Sequence, residues 1–166
     1  PEGYEINLWA MPVQRPYNPN AKLMAEMVQA DWAKVGVKAK IVSYEWAEYL
    51  KRASKGEHDA IIVGWTGDNG DPDNWLGTLL SCKAIGGNNY AQWCNKDFDQ
   101  LVTEARKITD HDQRVERYMK AQQIFKQELP WTTMAHSVVT VMTTPNVKEF
   151  KIDPFGSMRF EGVKVE

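Results

Sequence analysis

The sequence predicts an α/β fold built from parallel βαβ units, with a β-rich C-terminal tail. Three observations carry that expectation. Residues 4–65 alternate strand-like and helix-like patterns with tight connections. The stretch "DAIIVGW" (59–65) is an unbroken apolar run, as expected of a strand covered on both faces. Residues 131–144, "WTTMAHSVVTVMTT", are dense in β-branched side chains. Consecutive strand, helix and strand with short joints imply parallel strands and right-handed crossovers.

Taken in order, "YEINLWA" (4–10) sets Ile6 and Leu8 on one face and Trp9 on the other, a period of two. After the loop "MPVQRPYNPN", Asn18 precedes Pro19 as a helix cap followed by proline. The helix beyond is expected to bury Met24, Met27, Val28, Trp32 and Val35 and to stop at Gly36. "VKAKIVS" (37–43) alternates as a second strand, and Trp46, Tyr49, Leu50 and Ala53 form the stripe of a short helix ending at Gly56. Residues 59–65 are the third strand. Asp71 and Asp73 flank Pro72 as turn residues opening another helix. Asn95 caps a helix with Phe98, Leu101, Val102, Ala105 and Ile108 on one face. Asp110 and Gln113 form an approximate capping box for a longer helix that Pro130 stops. The β-rich segment and two short extended pieces near 146–152 and 158–165 complete the chain.

Composition excludes several classes. At 166 residues, 43% hydrophobic and 25% charged, the chain has the balance of a soluble globular domain with a real core. A formal charge of -2 and the lack of any Lys/Arg-rich run give nucleic acid no electrostatic footprint. The longest apolar runs reach about six residues, far short of a membrane span. Pro1-Glu2-Gly3 has neither an initiator Met nor a signal-peptide profile. A processed product, or a piece of a longer chain, is therefore expected.

In an open parallel sheet, ligands bind outside the carboxyl ends of the strands. The segments leaving those ends here are "MPVQRPYNPN", "SYEW" and "WTGDNGDPDNW". The last is crowded with Asp, Asn and Gly. Calcium fails on spacing. An EF-hand loop wants Gly at position six and Glu at twelve, whereas counting from Asp68 gives Asp73 and Leu79, and from Asp71 gives Leu76 and Cys82. A carboxylate-dependent hydrolase is conceivable, but no Gly-x-Ser-x-Gly or His-Glu-x-x-His motif occurs. His136, inside a strand pattern, reads as a core or interface histidine. A third reading is recognition of a small zwitterion: Arg15 can hold a carboxylate bidentately, and Asp68, between Gly67 and Gly70, can approach an ammonium. Tyr17, Trp46 and Trp65 would supply walls. The competing reading makes Arg15 and Asp68 solvated loop charges, or partners of each other.

Cys82 and Cys94 flank a Gly/Asn-rich stretch. The polar loop favours a bridge worth about 2–3 kcal/mol; two buried free thiols are the alternative. No histidine has zinc-ligand spacing to the pair.

The strings "WAMPVQRPYNPNAKLMAEMVQADWAKVGVKAKIVSYEW" and "GWTGDNGDPDNW", with the cysteine loop, closely resemble the periplasmic dipeptide-binding members of the extracytoplasmic solute-binding proteins, family 5, of the peptide/nickel ABC importer class. The resemblance runs through essentially the whole chain. It implies a periplasmic-binding-protein-like lobe, a periplasmic location, a dipeptide or short-peptide ligand, a membrane permease as partner, and neither cofactor nor enzymatic activity. By motif, Arg15 takes the peptide carboxylate with Tyr17 beside it, Asp68 takes the α-ammonium, and Trp65 and Thr66 run along the peptide backbone. It also implies a Cys82–Cys94 disulfide. Family chains are much longer, so residues 1–137 are expected to form most of the second lobe, with 138–166 returning to a first lobe that precedes this sequence. Relatives bind haem, glutathione, oligopeptides or nickel; isolated residues such as His58 or Met11 do not argue for haem.

Overall fold

The computed structural model describes residues 3–166; Pro1 and Glu2, on which the reading of the chain start partly rested, lie outside them. Three parallel strands form the first half: β1 (Tyr4–Trp9), β2 (Val37–Val42) and β3 (Ala60–Ile61), in the order β2-β1-β3. β1 runs in register with β2 from Tyr4↔Val37 to Trp9↔Val42 and meets β3 at Leu8↔Ala60 and Trp9↔Ile61. Helices α1 (Ala21–Lys34) and α2 (Trp46–Ser54) make the two crossovers.

The period-two reading of β1 holds. Leu8 packs with Ala25, Val28 and Trp32 of α1, while Trp9 packs with Tyr49 and Ala53 of α2. One helix therefore covers each face of the sheet. Tyr49 is fully buried, and its hydroxyl donates to the Ile62 carbonyl (2.8 Å), which keeps a polar group satisfied inside the core.

Several details depart from the sequence reading. Asn20, not Asn18, caps α1, its side chain accepting from the Leu23 amide. Asn18 is committed elsewhere: its backbone exchanges both hydrogen bonds with Arg15, closing a tight turn. α1 meets the sheet through Ala21, Ala25, Val28 and Trp32, and Met27 and Val35 stand exposed on an uncovered flank. The 59–65 run pairs over only two residues, plus the Ile62 amide to the Trp9 carbonyl (2.8 Å). β3 is an edge strand, so its residues are half-buried rather than enclosed on both faces.

The second half is helical: α3 (Asp73–Leu80), a short 3-10 turn (Cys82–Ala84), α4 (Lys96–Ala105) and α5 (His111–Glu128). Asn95 and Asp110 cap α4 and α5 as expected, accepting from the Phe98 and Gln113 amides. Leu79, Leu80, Phe98, Val102, Ala105, Tyr118 and Ala121 form a second core, with Trp65, Trp75 and Trp131 packed against it. α5 ends at Leu129 in the left-handed conformation (φ 47°), its amide still bonded to Phe125, before Pro130.

Beyond that point the β-rich expectation fails in part. Residues 131–144 form no ladder; they find no partner strand among the described residues, and Val138 and Met142 are 90% and 94% exposed. His136 is exposed with them, not a core residue. The tail's strands are a two-residue antiparallel pair, β4 (Val147–Lys148) with β5 (Lys164–Val165). Among the described residues no helix is long and apolar enough to cross a membrane.

Candidate functional site

The three loops that leave the carboxyl ends of the strands come together. Ser43 Oγ donates to the Ala10 carbonyl (2.9 Å), joining the ends of β1 and β2. The Arg15 guanidinium lies over the Trp46 ring, 5.0 Å from its centroid, a cation–π arrangement. Tyr17 packs directly on Gly64, where any Cβ would collide with the ring. Burial raises the Tyr17 hydroxyl above its ordinary pKa, opposed by the nearby Arg15 charge, so it stays a neutral donor and acceptor at physiological pH.

The loop after β3 is built around Asn74. Asn74 Oδ1 accepts from the Trp65 indole N–H (2.8 Å) and from the Asp68 amide (3.0 Å). Asn74 Nδ2 donates to Asp68 Oδ2 (3.0 Å). A side-chain amide therefore holds one oxygen of the Asp68 carboxylate. Gly67 sits flush against the Trp75 ring, and a Cβ added at Gly70 would lie 3.9 Å from the Phe155 ring, so the tail turn comes up beside this loop.

Arg15 and Asp68 do not pair with each other, nor with any other charged side chain among the described residues. The other two loop carboxylates are occupied. Arg114 holds Asp71 at 2.6 and 2.8 Å, and Arg106 holds Asp73. Burial pushes the Asp71 carboxyl up, but the Arg114 hydrogen bond, the Asp73 amide and the arginine charge together bring it below its ordinary value. Asp71 also accepts from the Asp73 amide (2.9 Å), serving as the cap that Pro72 cannot be. Carboxylates tied to arginines are poor calcium ligands and poor acid–base pairs. Among the described residues no cluster of three or more His, Cys, Asp or Glu side chains could hold a metal.

Among the described residues His58 makes no hydrogen bond to Arg15 or Asp68; its Nε2 meets the Tyr90 carbonyl at 3.0 Å and its ring packs against Trp9. Burial lowers its pKa, which keeps it neutral. Met11 is buried in the sheet core. Cys82 and Cys94 are joined in a disulfide. The loop they close is braced by the fully buried Asn89, whose Nδ2 donates to the carbonyls of Ser81 (3.1 Å) and Trp93 (2.8 Å), the residues just before each cysteine.

Residues 3–87 match the family described as "Bacterial extracellular solute-binding proteins, family 5 Middle". The chain belongs to this family. Among relatives of this chain, "Di/tripeptide-binding protein 3" of Pseudomonas aeruginosa (strain UCBPP-PA14) is 61% identical over 162 residues, 98% of this chain and 30% of its own length. "Heme-binding protein A" of Haemophilus influenzae is 48% identical over the whole chain, again 30% of its length. The crystal structure of a dipeptide binding protein from Pseudoalteromonas sp. SM9913 in complex with Met-Leu superposes with a TM-score of 0.85 at 39% identity, covering 99% of this chain and 33% of that one. This family 5 chain thus spans about three tenths of the length of the curated relatives it matches. The parallel α/β lobe is the fold of periplasmic binding proteins.

Asn74, Gly64, Arg106 and Arg114 were not singled out from sequence. Asn74 had a local signal, an Asx side chain six residues after Asp68 at a helix start. The arginines had none, lying 33 and 43 residues from the carboxylates they hold.

Proposed function

We propose that the protein carrying this chain binds short peptides, dipeptides above all, by their charged termini and delivers them to the membrane permease of an ABC importer in the periplasm. Arg15 takes the ligand carboxylate, Asp68 takes its α-ammonium, and Tyr17, Trp65 and Thr66 line the space between. Residues 1–137 act as the major part of one lobe, and 138–166 return to the other lobe, so the crevice closes between this chain and the remainder of the protein. No bond in the ligand is made or broken.

One observation carries the reading. Opposite charges stand beyond the carboxyl ends of the adjacent parallel strands β1 and β3, and among the described residues neither is neutralised by a charged partner. Leaving a charge without a partner inside a closing crevice is unfavourable unless the ligand supplies one. A free dipeptide supplies both. The disulfide agrees with an oxidising compartment, and the di/tripeptide-binding relative and the Met-Leu complex support the ligand class.

The test is calorimetry on the intact protein with a free dipeptide, its N-acetyl form and its C-terminal amide. Asp68→Ala should weaken the free dipeptide by about 2–5 kcal/mol and spare the acetylated one, which has no ammonium. Arg15→Ala should spare the amide instead. Equal losses for all three ligands in both variants would mark these residues as scaffold. Recovery of free amino acids after incubation would favour the hydrolase reading, and saturable haem binding without any dipeptide binding would move the chain to the ligand class of its haem-binding relative.

A further inference from the structure

We infer that Asn74 is the positioning residue for ammonium recognition, an inference that rests on the role proposed above for Asp68. Among the described residues it is the one side chain hydrogen-bonded to both Asp68 and Trp65. Two N–H donors, the Trp65 indole and the Asp68 amide, converge on Oδ1. That convergence fixes which end of the carboxamide is oxygen, so the –NH2 must face Asp68. It meets Oδ2 at 3.0 Å. Among the described residues Oδ1 of Asp68 has no hydrogen-bond partner, which leaves one carboxylate oxygen held and the other open to a ligand.

Asn74 is itself fixed from behind. Its amide donates to the Asp71 carbonyl (3.0 Å), placing it in the first turn of α3. Asp71 and Asp73 in that turn are clamped by Arg114 and Arg106 from α5 and the end of α4. The orientation of the exposed Asp68 is thereby referred to the helical core. A carboxylate held in its bound orientation before the ligand arrives loses less freedom on binding. Asparagine is required because the position needs an acceptor for two N–H groups and a donor for a carboxylate on one short, branched side chain. Alanine supplies neither, and aspartate only the acceptor.

Two variants of the intact protein test this, each titrated with Ala-Leu and N-acetyl-Ala-Leu beside Asp68→Ala. Asn74→Ala should weaken Ala-Leu about tenfold, the effect of releasing one charge-assisted contact, and leave N-acetyl-Ala-Leu within about twofold. Asn74→Asp preserves the acceptor for Trp65 and the Asp68 amide, so it keeps the loop, but it sets two carboxylates against each other. Such a pair shares a proton, which an arriving ammonium displaces. Affinity for Ala-Leu in Asn74→Asp should therefore rise about fivefold from pH 5 to pH 7, while wild type with either ligand, and Asn74→Asp with N-acetyl-Ala-Leu, stay flat. If Asp68→Ala discriminates between the ligands but the Asn74 variants weaken both alike, or neither, Asn74 is only scaffold and the inference falls while the Asp68 reading stands. If Asp68→Ala fails to discriminate, both fall together.

Discussion

Tyr17 packs on Gly64 so closely that a methyl group at residue 64 would lie inside its ring. The contact locks the loop after β1 onto the strand end that leads into the Asp68 loop. Gly64→Ala should therefore push Tyr17, and with it the Arg15 turn, out of place, destabilising the fold by about 1–3 kcal/mol as an overpacked site does. The same substitution in a Tyr17→Ala background should cost far less. Urea denaturation of the four members of this cycle measures the difference.

The Asp71–Arg114 pair gives a pH signature. A carboxyl whose folded pKa is lowered adds stability that is fully present above its unfolded value, about 3.9. That stability is lost as pH falls through the lower folded value. The net effect of its neighbours on Asp71 is in that direction. Asp71→Asn should melt below wild type at pH 6, and the gap should close as the pH is taken down to about 2. A gap independent of pH would mean that shape alone, not charge, matters at this position.

Asn89 and the disulfide hold the same loop by different means, one on the carbonyls preceding the cysteines and one on the sulfurs. Asn89→Ala should cost about 1–2 kcal/mol, because it removes two hydrogen bonds; the Trp93 carbonyl loses its partner, whereas that of Ser81 keeps the Ala84 amide. Replacing both cysteines by serine should cost about 2–3 kcal/mol. The two changes together should cost more than their sum, since each restraint limits what loss of the other releases. Chemical denaturation of single and combined variants decides this. Thiol labelling of the denatured, unreduced protein should find no free sulfhydryl.

The segment 131–144 has no ladder hydrogen bonds and exposes Met134, Val138 and Met142. In this chain alone its amides should exchange among the fastest, and those of Leu8, Trp9 and Phe98 among the slowest. Hydrogen exchange read by mass spectrometry provides the comparison. Slow exchange throughout 131–144 would show a partner strand after all.

What the sequence made legible follows physical range. The faces of β1 were readable because Leu8 and Trp9 differ by one residue and so must point oppositely. The caps at Asn95 and Asp110 were readable because a cap bonds only two or three residues ahead. Asn20 was missed because Pro19 drew the helix start toward Asn18, whose backbone the Arg15 turn had already claimed. The β-propensity of 131–144 describes side chains suited to a sheet, and propensity cannot supply the neighbouring strand. For the candidate site, the placement of Arg15, Tyr17, Trp65 and Asp68 beyond strand ends was readable from the order of the strands. The arginines that clamp Asp71 and Asp73 come from across the fold, where no spacing rule reaches.

The two hydrophobic cores hold the two loop charges separately. Arg15 rides on Trp46, part of the sheet's core, whereas Asp68 is referenced through Asn74 and Trp65 to the helices. The gauge between the two charges is thus cut on two separate pieces of the molecule. Its setting depends on the joint between them, where His58 meets the Tyr90 carbonyl and Gln92 meets that of Ser54. On the roles proposed above for Arg15 and Asp68, a substitution at that joint re-spaces the two charges while both side chains stay as they are.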